Sequence, residues 1–220
     1  MRSLIIAALA LAAFAHTADA QQAPRRQISL ANVTERPAEL SQGGRPYAEL
    51  LATAVDGLAA YFPAGCTRIE GRSYAFADIG AEDAVTRQVV ARGQRIYRER
   101  MVLAACGRNF MPNFYVFLRP NEVPAFATGV PGETFGTLGL LRDVEPAARN
   151  AAARAASCQD TAVVIHSTVT QHPPAANAPW AERWILRACD RRVDLPIRFT
   201  PQAQGVRYEI DSANAQLGNF

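Results

Sequence analysis

Four cysteines, Cys66, Cys106, Cys158 and Cys189, constrain this chain more than any other feature. In an oxidising compartment an even set reads as a disulfide framework; in a reducing one the same residues are thiols or metal ligands. The choice rests on the compartment, and the N-terminus bears on it. Arg2 supplies a positive start, Leu4 to Ala15 is an unbroken apolar run of twelve residues, and Ala18-Asp19-Ala20 offers small side chains at an A-x-A cleavage signal. Together these form a secretory signal peptide. Spanning a bilayer takes roughly 20 apolar residues, so the run is too short for an anchor. Residues 1–20 are expected to be removed. No second long apolar run follows, so no transmembrane segment is expected after cleavage, and the expected location is periplasmic or secreted.

Two disulfides are the consequence. Three pairings are open; the sequential one, Cys66 with Cys106 and Cys158 with Cys189, closes loops of about 40 and 30 residues, each worth roughly 3.5–4 kcal/mol in the loop-entropy model. Zinc does not fit: there is no C-x-x-C pair, and His166 and His172 are too far apart for a finger. No metal and no cofactor is expected. Every basic residue is Arg, and the absence of Lys excludes Schiff-base chemistry and a Walker-type phosphate loop. A formal net charge of +3 is too weak to point to nucleic acid.

The expected fold is α+β: an antiparallel sheet in the C-terminal part packed against two or three helices and stabilised by disulfides. Residues 21–45, rich in Gln, Pro, Arg and Gly, read as a flexible arm, and residues 46–220 as a single globular domain. Tyr47, Leu50, Leu51, Ala54, Val55, Leu58 and Phe62 recur at helical spacing up to Pro63. A second helix is expected across residues 81–106, although "MVLAAC" reads equally well as a strand, and "RSYAFADIG" as a short strand. "NFYVFLRP" is a strand candidate, and residues 120–142 read as a long loop with at most one short strand. "EPAARNAAARAASC" reads as a helix capped by Asp143 with Pro146 in its first turn. "TAVVIHSTVT", "ERWILRACD", "RRVDLPIRFT" and "GVRYEI" read as strands, the middle two as a hairpin, followed by a polar tail. Pro196 cannot donate to a ladder, which predicts an edge strand or a bulge there. No internal repeat is evident.

Trp180, Glu182 and Trp184 alternate, so on a strand they share one face. That face could stack a sugar or an aromatic group with Glu182 accepting hydrogen bonds; equally, the tryptophans could plug the core. The segment from Trp180 to Phe199 resembles the C-terminal end of exported proteins of Gram-negative bacteria, in which a W-x-E-x-W stretch, a cysteine and an apolar strand recur. The resemblance implies a periplasmic or extracellular setting and carries no activity.

Catalytic readings are thin. Cys106 with His166 or His172 would need a free thiolate, which a disulfide removes. His166 and Ser167 are neighbours on a strand and point to opposite faces, and no G-x-S-x-G elbow is present. The glycines of "GVPGETFGTLG" suit turns. Glu133 and Glu182 are the acids in suggestive settings for paired-carboxylate chemistry. Glu82 and Asp83 open a helix, where carboxylates complement the dipole. Arg87, Arg92, Arg95 and Arg98 would form a basic helix surface. The expected function is therefore non-enzymatic binding or interaction in the bacterial envelope, with an envelope component or a protein as partner. The alternative is a periplasmic hydrolase of cell-wall material.

Overall fold

A computed structural model describes residues 26–33, 35–41, 44–58, 61–62, 65–175 and 177–219. The expected signal peptide and the start of the expected arm lie outside the described residues. The fold is α+β. The first sheet comprises β1 (Gln27–Ala31), β2 (Arg68–Asp78), β3 (Arg95–Ala105), β4 (Arg108–Phe110), β5 (Asn113–Leu118) and β6 (Ala125–Thr128). Its order is β1-β2-β3-β5-β6, with β4 added to the end of β3. The second comprises β7 (Val163–Gln171), β8 (Trp180–Ala188), β9 (Arg191–Gln202), β10 (Gly205–Ile210) and β11 (Gln216–Asn219), in the order β10-β9-β8-β7 with β11 also on β9. All pairings are antiparallel except β1 with β2. The described helices are α1 (Tyr47–Asp56), α2 (Ala84–Ala91) and α3 (Leu138–Ala155).

Each sheet has its own apolar core. Tyr47, Leu51 and Val55 of α1 pack on Met101, Leu103, Phe114 and Val116. Leu141, Val144, Ala148 and Ala152 of α3 pack on Trp184, Leu186, Leu195, Ile197 and Phe199. A smaller cluster of Ile79, Ile96 and Tyr115, joined by Val89 and Leu138, ties the outer face of the first sheet to α2 and α3. The disulfides take the sequential pairing, Cys66–Cys106 and Cys158–Cys189, with Cα–Cα distances of 5.9 and 5.8 Å.

Several local expectations are corrected. Residues 27–31 are not part of a flexible arm; they form β1, held by parallel pairing with Arg68 to Arg72. The helix expected over residues 81–106 stops at Ala91, because Gly93 adopts a left-handed φ of 75° and turns the chain into β3. Its start is a capping box between Asp83 and Thr86. Helix α1 ends at Asp56 with Gly57 as its cap, short of Pro63. Helix α3 is capped by Thr137, so Asp143 and Pro146 fall inside it. The polar tail adds β11 to the sheet. The strand with Pro196 is central. The Pro196 carbonyl accepts from the Asp211 N–H at 3.0 Å, in the gap between β10 and β11, so its missing N–H falls where no ladder partner is required.

The two sheets reveal an internal repeat that the sequence reading missed. Apart from α2 and β4 in the first half and β11 in the second, each half runs helix, cysteine, strand, strand, cysteine, then a return strand and a last strand: α1, β2, β3, β5, β6 against α3, β7, β8, β9, β10. Each disulfide joins the cysteine before the first strand to the one after the second. Cys106 and Cys189 both open hairpin turns with left-handed φ, 50° and 51°. "YRERMVLAACGR" from Tyr97 and "WAERWILRACDR" from Trp180 align without a gap, sharing Glu, Arg, Leu, Ala, Cys and Arg. Ser73 pairs with Met101 as Ser167 pairs with Trp184. Even the parallel strand has a counterpart: Gly132 bridges Ser167 in parallel, just ahead of α3.

Candidate functional site

The side chains of Trp180, Glu182 and Trp184 share one face of β8, as alternation requires, and that face is turned inward. Trp180 is 7% exposed, Glu182 1% and Trp184 0%. The tryptophans are core residues, and Trp180 stacks on Phe199 with ring centroids 4.8 Å apart. No ligand can lie flat across that face.

Glu182 has a different task. Its Oε1 accepts from the Thr134 hydroxyl (2.8 Å), the Phe135 N–H (3.1 Å) and the Trp180 indole (3.0 Å), and its Oε2 from the Trp184 indole (2.8 Å). These donors are neutral, and together they answer both oxygens of a buried carboxylate. The chain from Pro131 to Phe135 is also held from behind. Ser167 N–H donates to Pro131 O (2.8 Å), and Glu133 N–H donates to Ser167 O (2.9 Å). Gly132 is required at the crossing, with φ 96° and a would-be Cβ only 2.2 Å from the Ser167 carbonyl. The result is that Phe135, 47% exposed, stands at the surface on a fixed backbone. Its ring meets His172 edge-on at 5.6 Å and Trp180 at 6.5 Å.

Phe135, His172 and Trp180 line one wall of an open cleft of about 1140 Å³. Arg87 of α2 and Arg142 of α3 line it opposite the β7–β8 loop and the β9–β10 hairpin, which contribute Asn177, Gln202 and Gln204. The floor is fixed by Asp83, which accepts from Thr86 N–H (2.8 Å) as the cap of α2 and from Gly139 N–H (2.7 Å) at the start of α3. Burial alone would raise the Asp83 carboxyl, but the hydrogen bonds from Thr86, Thr137 and Gly139 hold it below the usual range. An exposed aromatic ring and three amides, beside two guanidiniums offset by the Glu82, Asp83 and Asp143 carboxylates, suit a polar ligand with flat apolar faces.

The other sequence candidates fall elsewhere. Cys106 is bonded to Cys66, which removes it as a nucleophile. His166 lies at a bulge of β7; burial lowers its pKa, opposed by the Glu133 carboxylate. Ser167 is buried and its hydroxyl donates to the Pro131 and Glu133 carbonyls, so it holds the chain and is not presented to solvent. Glu133 is exposed while Glu182 is fully engaged inside. The basic helix surface does not form: Arg95 and Arg98 lie on β3, Arg95 paired with Glu39 and Asp78, Arg98 with Glu82 at 3.0 Å. Phe135 and the amides of the cleft were not evident from the sequence because they come from three separate segments.

Among the described residues no helix is long and apolar enough to cross a membrane. Compared with known proteins, the chain matches no family model, no curated protein and no solved structure.

Proposed function

We propose that this is an exported, non-enzymatic binding protein of the bacterial cell envelope that takes its ligand in the Phe135 cleft. The carrying observation is the pairing of an exposed ring with a buried carboxylate: Glu182 fixes the Phe135 backbone, so a large apolar face is presented rigidly beside Asn177, Gln202 and Gln204. Two disulfides and the signal-like N-terminus support export. The ligand class is a sugar-containing envelope component, whose ring faces stack on aromatics and whose hydroxyls meet amides. The hydrolase reading loses ground because its carboxylate Glu182 already accepts four hydrogen bonds away from solvent.

The test is an amide-shift titration of the mature protein with soluble muropeptides. Shifts at Phe135, His172, Asn177 and Gln202, lost in Phe135→Ala without loss of melting temperature, are expected. Absence of shifts at these positions overturns the cleft assignment. Cleavage of the muropeptides that Glu182→Ala or Glu133→Ala abolishes overturns the non-enzymatic reading.

A further inference from the structure

The two halves differ at one sheet edge, and the difference marks a second surface. Phe114 and Ile197 are equivalent, and they pair with Thr128 of β6 and Ile210 of β10. Ala125 and Ala127 therefore stand where β10 carries Arg207 and Glu209. Charges on an edge strand protect it from stray pairing. β6 is equally an edge, and both alanines are exposed. Gly129 N–H donates to Asn113 O at 2.8 Å, so by antiparallel alternation Ala125 and Ala127 bond β5. Phe126 and Thr128 then turn their N–H and C=O groups to the side on which no described strand pairs.

An apolar groove of about 630 Å³ runs beside that edge, walled by Leu50, Ala54 and Leu58 from the α1 side and by Phe126 and Val123 from the β6 side. In the second half the Tyr208 hydroxyl, at the Phe126 position, reaches across to the Asp143 carbonyl of α3 at 3.4 Å. Phe126 has no hydroxyl with which to bridge to α1. Val123 is 55% exposed. Among the described residues Arg45 is the single charged residue on the lining; its guanidinium donates to the Thr53 hydroxyl at 3.2 Å, and its ion pair with Glu49 is long, 3.9 Å, and exposed, so that pair is weak.

We propose that β6 accepts an extended segment of a partner polypeptide as an added strand, with apolar side chains at alternate positions entering the groove and a carboxylate meeting Arg45. Strand addition draws its affinity from main-chain bonds and its selectivity from alternate side chains. The one lining charge is positive, which selects an acidic segment over a basic one. It also argues against a second copy pairing through its own β6, because the acid nearest that strand, Glu122, is already paired with Arg119 at 3.5 Å and β6 itself carries none. The β6 groove shares no lining residue with the Phe135 cleft.

The experiment titrates the isotope-labelled full mature chain with a short acetylated peptide of alternating Val and Thr ending in Glu. Shifts centred on the Phe126 and Thr128 amides are expected. Ala125→Arg combined with Ala127→Glu, which imports the β10 charges at exposed positions, should weaken binding by about tenfold. A Lys-ended peptide should bind several-fold more weakly, and Arg45→Gln should erase that preference. No shift on β6 at millimolar peptide overturns the proposal, as does unchanged binding by the double variant. A dimer that forms without peptide and is dissolved by that variant also overturns it, in favour of a second copy.

Discussion

Glu99 and Glu182 occupy the same place in the two halves, each buried in the second strand and each clasping the chain that leads into the helix of its half. Glu99 accepts from Arg36 Nη2 (2.8 Å) and Nε (3.0 Å), from the Tyr47 hydroxyl at the start of α1 (3.1 Å), and from the Ser73 hydroxyl. Glu182 accepts from Thr134 and Phe135, just ahead of α3, and from two indoles. One latch is closed by a cation, which also lies over the Phe76 ring at 4.6 Å; the other by neutral donors. Where the second half gives up the arginine, it gains the exposed Phe135.

The two latches should fail differently. Glu99→Gln strands Arg36, and breaking a buried ion pair costs about 3–5 kcal/mol. Arg36 keeps 11% side-chain exposure, which favours the lower end of that range. Glu182→Gln retains a neutral acceptor and sets one amide N–H against an indole N–H, a loss of about 1–3 kcal/mol. Urea unfolding should therefore show the larger destabilisation in Glu99→Gln. Equal or reversed costs would mean that the arginine is not what holds the first latch.

The disulfides should contribute almost equally. They span sequence separations of 40 and 31, for which the loop terms differ by only about 0.2 kcal/mol. Replacing either pair by serines should cost roughly 2–5 kcal/mol, and the intact protein should contain no reactive thiol. One pair proving dispensable while loss of the other unfolds the chain would show that the halves do not share the load.

The strands of the second half were legible in the sequence, as were α1 and β5 of the first, but β3 was not, for a physical reason. Val193, Leu195, Ile197 and Phe199 alternate with polar residues and are all buried, so the period-2 signal was clean. In β3, by contrast, Arg98 and Glu99 are adjacent and both carry charge, one on each face, so the alternation is masked and the segment mimics a charged helix. Only the contacts explain it: Glu99 is paired inside, and Arg98 meets Glu82 outside. The repeat was present in the sequence as Glu-Arg-x-x-Leu-x-Ala-Cys, but its conspicuous residue, Trp184, is Met101 in the other copy. The cleft was not legible, because residues of α2, α3 and the segments between the strands build it together.

Asp83 joins α2 to α3 and should make the fold sensitive to acid. Its folded pKa lies below the ordinary value, so the stability it contributes is present above the unfolded pKa of about 3.9 and is lost as pH falls through the folded value. Asp83→Ala should cost about 1 kcal/mol for the lost cap at neutral pH. It should also flatten the stability profile below about pH 4. A variant whose acid profile matches the parent would remove Asp83 as the source of that slope.

His166 should act in a higher window. Burial holds its imidazole below the ordinary histidine value, against the pull of the Glu133 carboxylate. The unfolded chain therefore takes up the proton first, near pH 6.5, and folded stability declines as pH falls from there to the folded pKa. Removing the opposing charge should deepen the effect: in Glu133→Gln the imidazole pKa drops further, and the loss between neutral and mildly acidic pH grows. Following the imidazole proton shifts through a pH titration separates the cases. An imidazole that titrates at or above the unfolded value, or that moves upward in Glu133→Gln, would mean that the ring is solvated at the β7 bulge.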